Sequence, residues 1–252
     1  MKDKRLAVLI DADNVPYANI KGLLEEVAKN GTPTIKRIYA DWTKATVSGW
    51  KGVLLENAIT PIQQYSYTTG KNSSDSALII DAMDILYSEK VEGFCIVSSD
   101  SDFTRLATRL REAGMLVIGF GEKKTPKPFI SSCDKFIYME ILKSKEEETP
   151  VVKHASKKSN KYPKNDHDSV AGRIDPKTVK WLVDSVEDLG DESGWVFLGD
   201  LGNFISKTKA DFDSRNYGFP KLLPLIKSLD KFEIDERTTE SGKTKLIYLR
   251  NR

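Results

Sequence analysis

Histidine and cysteine are the scarce residues of this 252-residue chain, at two each. His154 and His167 both fall in a polar, lysine-rich stretch, so a Ser-His or Cys-His nucleophile pair lacks its base. A zinc site lacks soft ligands for the same reason. Cys95 and Cys133 stand far apart in separate apolar segments, which fits reduced core thiols and a reducing compartment better than a disulfide. No apolar run approaches the roughly 20 residues that span a bilayer. The run in MKDKRLAVLID reaches an Asp too soon for a secretory leader and reads as a first strand, so a cytoplasmic protein without a membrane role is expected. Charge is balanced as well: 39 basic against 37 acidic residues leave +2, which neither favours nor excludes a polyanionic partner. If the chain does chemistry, carboxylates must carry it.

What is present is an alternation of short apolar runs with helical patterns. LAVLI (6–10) reads as a buried parallel strand. Pro16 opens a helix over PYANIKGLLEEVAKN that Gly31 closes. A strand TIKRIYA (34–40), a helix around 46–58 and a strand near 61–67 follow. SSDSALIIDAMDILYSEK (73–90) is a strongly apolar helix capped by Ser73 or Ser74. Then come the strand GFCIVSS (93–99), a helix over 102–114, the strand MLVIGFG (115–121) and a last strand, KFIYMEIL, ending near Leu142. This order predicts an α/β domain over 1–142, a mostly parallel sheet with helices on both faces. Periodicity lapses over 143–170, which reads as a flexible linker. Over 171–252 three helical patterns and a terminal hairpin around TESGK predict a small winged-helix domain.

The aspartates are placed without respect to helix or strand periodicity. Asp11 and Asp13 directly follow LAVLI, Asp100 and Asp102 directly follow GFCIVSS, and Asp75 sits in the first turn of the apolar helix. Ligands of open parallel sheets collect outside the carboxyl ends of the strands, so three segments bring acidic groups to one edge. Clustered carboxylates repel unless a cation neutralises them, and all-oxygen ligands select Mg²⁺ or Mn²⁺. Such ions serve phosphodiester displacement without a protein nucleophile. Asp75 and Asp102 also suit helix N-termini through the macrodipole alone. Asp81, about 120° around the helix from Asp75, is a further metal-adjacent candidate. Asn14 and Asp13 are supporting candidates, and Asp41, after TIKRIYA, reads more readily as an exposed loop acid. Lys71, Lys123 and Lys124 near the same strand ends are candidates for phosphate contact. Trp42, Tyr65 and Tyr67 are candidate stacking surfaces for unpaired bases.

LIDADNV, KNSSDSALIIDAMD, IVSSDSDFTRLATRLREAG and VIGFGEKKTP, in this order, resemble the NYN domain family, the LabA-like branch of the PIN-like nucleases. The resemblance implies a PIN-like (Rossmannoid) fold and metal-dependent RNA cleavage. It carries catalytic metal-binding acids to Asp11, Asp75, Asp100 and Asp102, with Asn14 and Asp81 in support; Asp13 stands where the family is looser. FDSRNYGFPKLLPLIKSL with the closing hairpin resembles the OST-HTH (LOTUS) domain, which implies binding of RNA, including G-rich RNA, and sometimes of protein partners. Lys207, Lys209, Arg215, Tyr217 and Lys221 are the RNA-binding candidates there, against acids at Asp200, Asp211, Asp213 and Asp230. Two other readings stay open. The chain is an inactive RNA-binding adaptor, or DADNV marks a haloacid-dehalogenase-like phosphatase, although GFCIVSS lacks the lysine that chemistry wants before its late acidic pair.

Overall fold

Strand β1 (Arg5–Asp11) is buried from Leu6 onward on both faces, and that double burial is what its unbroken apolar run requires. A computed structural model describes residues 3–65, 73–142, 174–238 and 245–252, without the side chains of Asn14 and Ser73. It resolves two compact units, here taken one at a time.

In the first unit β1 is followed by α1 (Ile20–Ala28), β2 (Thr32–Ala40), α2 (Trp50–Asn57), β3 (Thr60–Gln63), α3 (Ser73–Tyr87), β4 (Gly93–Val97), α4 (Thr104–Glu112), β5 (Leu116–Gly121), α5 (Lys127–Ser132) and β6 (Lys135–Tyr138). Among the described residues the six strands form one sheet in the order β3-β2-β1-β4-β5-β6, every pair parallel. The period-two alternation of β1 divides the core. Leu6, Val8 and Ile10 pack with Ile20, Leu23, Val27 and Trp50 of α1 and α2, whereas Ala7 and Leu9 pack with α3, α4 and α5. The expected helices on both faces follow directly. Cys95 lies in the first of these cores and Cys133 in the second, so the sheet separates them. Both are free thiols, and burial pushes each up to about 12, far from the reactive thiolate range.

Several boundaries move for local reasons. Pro16 is extended, residues Tyr17–Asn19 form a 3-10 turn, and α1 begins only at Ile20. A 3-10 turn over Ala45–Val47 takes the start of the helix expected around 46–58. β3 stops at Gln63, short of the expected strand. The last strand gives way to a 3-10 turn at Met139–Ile141. Helix α5, absent from the sequence reading, starts after an extended Pro126 with Pro128 in its first turn, positions where a missing N–H costs nothing. Pro33 interrupts β2 in the same currency: the register with β1 slips between Leu6 and Ala7, opposite Pro33 and Ile35, because proline cannot donate to the ladder.

The second unit contains α6 (Pro176–Leu189), β7 (Val196–Phe197), α7 (Leu198–Thr208), α8 (Leu222–Ser228), β8 (Phe232–Thr238) and β9 (Lys245–Asn251). Asp175 caps α6 by accepting from the Thr178 N–H at 3.0 Å, ahead of Pro176 at the first helical position. β8 and β9 form the antiparallel hairpin, with β7 on the far side of β9. Leu182, Val186, Leu201, Ile205, Leu225 and Leu249 make its core. Three helices and a terminal hairpin give the winged-helix domain that the periodicity predicts.

Candidate active site

The strand order reverses direction between β1 and β4, which are neighbours in space. Such a switch point leaves a crevice at the carboxyl ends of the two strands. Asp11 ends β1 there, and Asp100 follows β4 by way of Ser98 and Ser99. Ser98 ties the two strand ends together. Its hydroxyl donates to Asp11 Oδ2 at 2.9 Å and accepts the Asp100 N–H at 3.1 Å. Asp11 and Asp100 each cap a short 3-10 turn, Asp11 accepting from the Asp13 N–H at 3.2 Å and Asp100 from the Asp102 N–H at 2.9 Å. These are the same Asx-type turns at the ends of two adjacent strands, and they hold the carboxylates in place before any ligand arrives. Gly121, at the end of β5, completes the wall: a Cβ there would stand 2.7 Å from the Ser98 carbonyl oxygen and 2.6 Å from Thr125 Oγ1.

Asp75, Asp100 and Asp102 each place a carboxylate oxygen within 4.8 Å of the others. Asp75 is buried, Asp100 half-buried and Asp102 exposed, so the group is open on one side only. Asp11 stands beside this trio, near enough for its charge to act on Asp75. Burial first, then the charges of Asp11, Asp100 and Asp102, push Asp75 up from 3.8 to about 6, against a weak hydrogen bond from Ser74. The N-terminus of α3 would lower it by roughly 0.3–1 kcal/mol, whereas the net rise corresponds to roughly 2–3 kcal/mol. Desolvation and repulsion win. A hard divalent cation bound among these carboxylates would relieve that repulsion. The donor set, all carboxylate and mutually repelling, fits Mg²⁺ or Mn²⁺.

The other candidates separate. Asp81 is not in this group. Arg37 Nη1 and the Tyr39 hydroxyl both donate to its carboxylate, and it is ion-paired with Arg37. Burial and the Asp81 charge hold the Tyr39 hydroxyl far above its usual range. Because the Tyr39 ring is fully buried, Asp81→Ala should cost about 1–3 kcal/mol by stranding that hydroxyl and the guanidinium, read as a lower thermal midpoint. Asp13 is exposed and meets Asp11 through its backbone. Lys123 and Lys124 lie exposed after β5, where Lys124 pairs with Glu122. Lys71 and Tyr67 lie outside the described residues. Asp41, read as an exposed loop acid, is instead buried and accepts from the Thr43 hydroxyl at 2.6 Å and from Gln63 at 3.2 Å.

In the winged helix, Lys207 and Lys221 are exposed and Lys209 is half-buried. Arg215 is turned onto Asp213, with Nη2 to Oδ2 at 2.6 Å. Tyr217 packs against Phe212 at 5.8 Å and joins the core. The sequence reading missed the outer face of the hairpin. Arg237 lies 4.1 Å from the Tyr248 ring centroid and 5.4 Å from that of Trp195, and Arg250 lies 4.7 Å from Trp195. Only the alternation in LIYLR, with Leu249 buried between Tyr248 and Arg250, signals this face. Ser98 was missed too; its one signal is its place between an apolar strand and Asp100.

A parallel α/β sheet with helices on both faces and carboxylates gathered at its switch point fits a PIN-like α/β domain. The NYN domain model matches residues 5–140, more than half of the chain, which therefore belongs to the NYN family. A second model, the OST-HTH/LOTUS domain, an RNA-binding domain, matches residues 175–244. No curated protein matches the chain. Among solved structures it is similar to a protein of unknown function from Vibrio parahaemolyticus RIMD 2210633, at 20% identity and a TM-score of 0.44 over 53% of this chain and 91% of that one. It is also similar to an uncharacterised protein from Nitrosomonas europaea, at 33% identity and a TM-score of 0.30 over 39% of this chain and 92% of that one. Among the described residues no helix is long and apolar enough to cross a membrane.

Proposed function

We propose that this chain is a divalent-metal-dependent ribonuclease that hydrolyses RNA phosphodiester bonds. The observation that carries the reading is the meeting of Asp75 with Asp100 and Asp102, from two separate segments, within 4.8 Å at the switch point beside Asp11 of a third. Asp11, Asp75, Asp100 and Asp102 would hold Mg²⁺ or Mn²⁺. A hard divalent cation bound there supplies charge neutralisation for the phosphate and lowers the pKa of an attacking water. The chain's own part is positioning. Ser98 fixes Asp11 and the Asp100 backbone, Asp100 fixes the turn that carries Asp102, and the buried floor of the crevice keeps water from the inner face of Asp75. With the domain limits read from sequence, 1–142 and 171–252, the winged helix would recruit RNA to the acidic cluster, two contacts on one strand.

Labelled RNA and DNA incubated with Mn²⁺, Mg²⁺ or chelator test this beside Asp11→Asn and Asp100→Asn. Cutting of RNA that needs metal and both acids supports the proposal; cutting that persists in chelator, or none under any condition, refutes it. Recruitment is a separate quantity. Lys207→Ala with Lys221→Ala should reduce the salt slope of RNA binding by roughly 1–2. Trp195→Ala should weaken binding roughly 5-fold or more by removing a ring that arginines already cover. Anisotropy titrations across a salt series read both.

A further inference from the structure

Trp42 lines a cavity of about 590 Å³ at the β2–β3 end of the sheet, a volume within the range of small-ligand pockets. Its walls are mostly apolar: Trp42, Val47, Leu55 and Ile59, with Lys44 and Lys51 beside them. Both lysines are exposed, and no acid is among the lining residues. Leu55 is 79% exposed, an aliphatic surface left to water at the lip. The indole is held rigidly. Its Nε1–H donates to the Ile62 carbonyl at 2.9 Å, and its backbone N–H donates to Gln63 Oε1 at 3.0 Å. Gln63 in turn donates to the buried Asp41 carboxylate at 3.2 Å. A ring fixed at both ends loses little freedom when something stacks on it.

We propose that this cavity receives one unpaired nucleobase of the RNA strand that crosses the acidic cluster, with Lys44 and Lys51 holding the phosphates beside it. The proposal rests on the ribonuclease reading above and names the substrate that reading requires: RNA with an unpaired base near the scissile bond. Position supports it. Trp42 follows β2, and β2 pairs with β1, whose last residue is Asp11. The cavity and the Asp11 strand end therefore both border β2, the strand between β1 and β3, and an extended stretch of RNA would run from one to the other. Chemistry supports it as well. The acidic cluster repels phosphates, so the grip on the strand must come from beside it. An apolar slot with an aromatic wall and cations but no acids takes a base face and a phosphate together. Lysines without an acid among the lining residues favour an anionic occupant.

The test is a short, fluorescent, single-stranded RNA carrying one abasic position, moved stepwise along the strand. Its binding to the full Asp100→Asn chain is measured in Mg²⁺, and its cleavage by the native chain in parallel. One register of the abasic position should weaken binding roughly 5–150-fold, and native cleavage should fall at that same register. Trp42→Ala in the Asp100→Asn background should weaken binding and erase the register dependence, with Trp42→Phe keeping most of it. Equal binding at every register overturns the proposal, and the walk on chains that retain Trp42 needs no variant at the pocket. The two readings fail separately. Cleavage with register-independent binding removes the base site and leaves the ribonuclease. Register-dependent binding without cleavage by the native chain in Mg²⁺ or Mn²⁺ removes the ribonuclease and leaves the base site.

Discussion

Asp100→Asn is expected to lower metal-dependent RNA cleavage by roughly 10²–10³-fold or more while RNA binding and folding survive. The substitution is nearly isosteric. The amide oxygen still accepts the Asp102 N–H that Asp100 Oδ1 now receives, and the Asp100 N–H still reaches Ser98 Oγ. What is lost is one negative charge and one hard oxygen from a trio within 4.8 Å. Divalent metal ions contribute several kcal/mol of transition-state charge stabilisation, and each 1.36 kcal/mol is tenfold in rate. Asp11→Asn should act in the same direction. Asp81→Asn should change cleavage by only a few-fold, since that carboxylate is committed to Arg37 and Tyr39. Single-turnover cleavage of labelled RNA at saturating Mn²⁺, beside thermal midpoints of each variant, measures the contrast. Asp100→Asn within about threefold of the native rate would sink the assignment of the trio.

Asp75→Asn should produce the opposite sign in stability: a metal-free protein more stable than the native chain, and catalytically silent. Asp75 is 8% exposed, and its carboxyl is pushed up from 3.8 to about 6 by burial and then by the charges of Asp11, Asp100 and Asp102. A raised acid is a cost borne by the folded state above pH 6, where it is ionised in both states. The cost is relieved as pH falls through 6 and is gone below about 3.8, so this group makes the apo protein more stable on mild acidification. Removing the charge should recover about 1–3 kcal/mol at pH 7.5, or roughly 3–10 °C in thermal midpoint. It should also flatten the dependence between pH 7 and 5. A cation relieves the same repulsion: at 100 times its Kd it adds about 2.7 kcal/mol to the native chain, and should add much less to the variant. Thermal melts in chelator and in Mn²⁺, across that pH range, read all three effects. A variant less stable than native in chelator would show that Asp75 is a structural acid whose burial is already compensated.

Tolerance of such a cost is ordinary where function needs it. The surrounding packing makes it affordable: Leu78 behind Asp75 and Phe103 behind Asp102 are fully buried, and the sheet interior on either side of β1 and β4 is apolar throughout.

Local pattern determined a good deal by itself. The runs LAVLI and GFCIV are too apolar and too short for anything but doubly buried strands, and they form β1 and β4, side by side at the centre of the sheet. Aspartates immediately after such runs had to fall on the carboxyl edge, and Asp75, Asp100 and Asp102 do meet. The winged helix was legible from its three helical periods and closing hairpin. Helix α5 was not, because six residues with a proline before them and another in the first turn carry too little periodicity to register. Partner choice was not legible anywhere. Arg37 and Asp81 are 44 residues apart and Ser98 and Asp11 are 87 apart, and only strand order and register bring them together. Asp81, a metal-adjacent candidate by its helical angle, was taken by Arg37 and Tyr39. Arg215 was neutralised by Asp213, and Tyr217 was drawn into the core. Trp195, just before β7, with Arg237 of β8 and Tyr248 of β9, became one surface. Residue type and spacing fix which edge or face a side chain occupies, because that is set by the period of the backbone. What the side chain then touches is set by segments arriving from elsewhere, and the tertiary structure alone decides that.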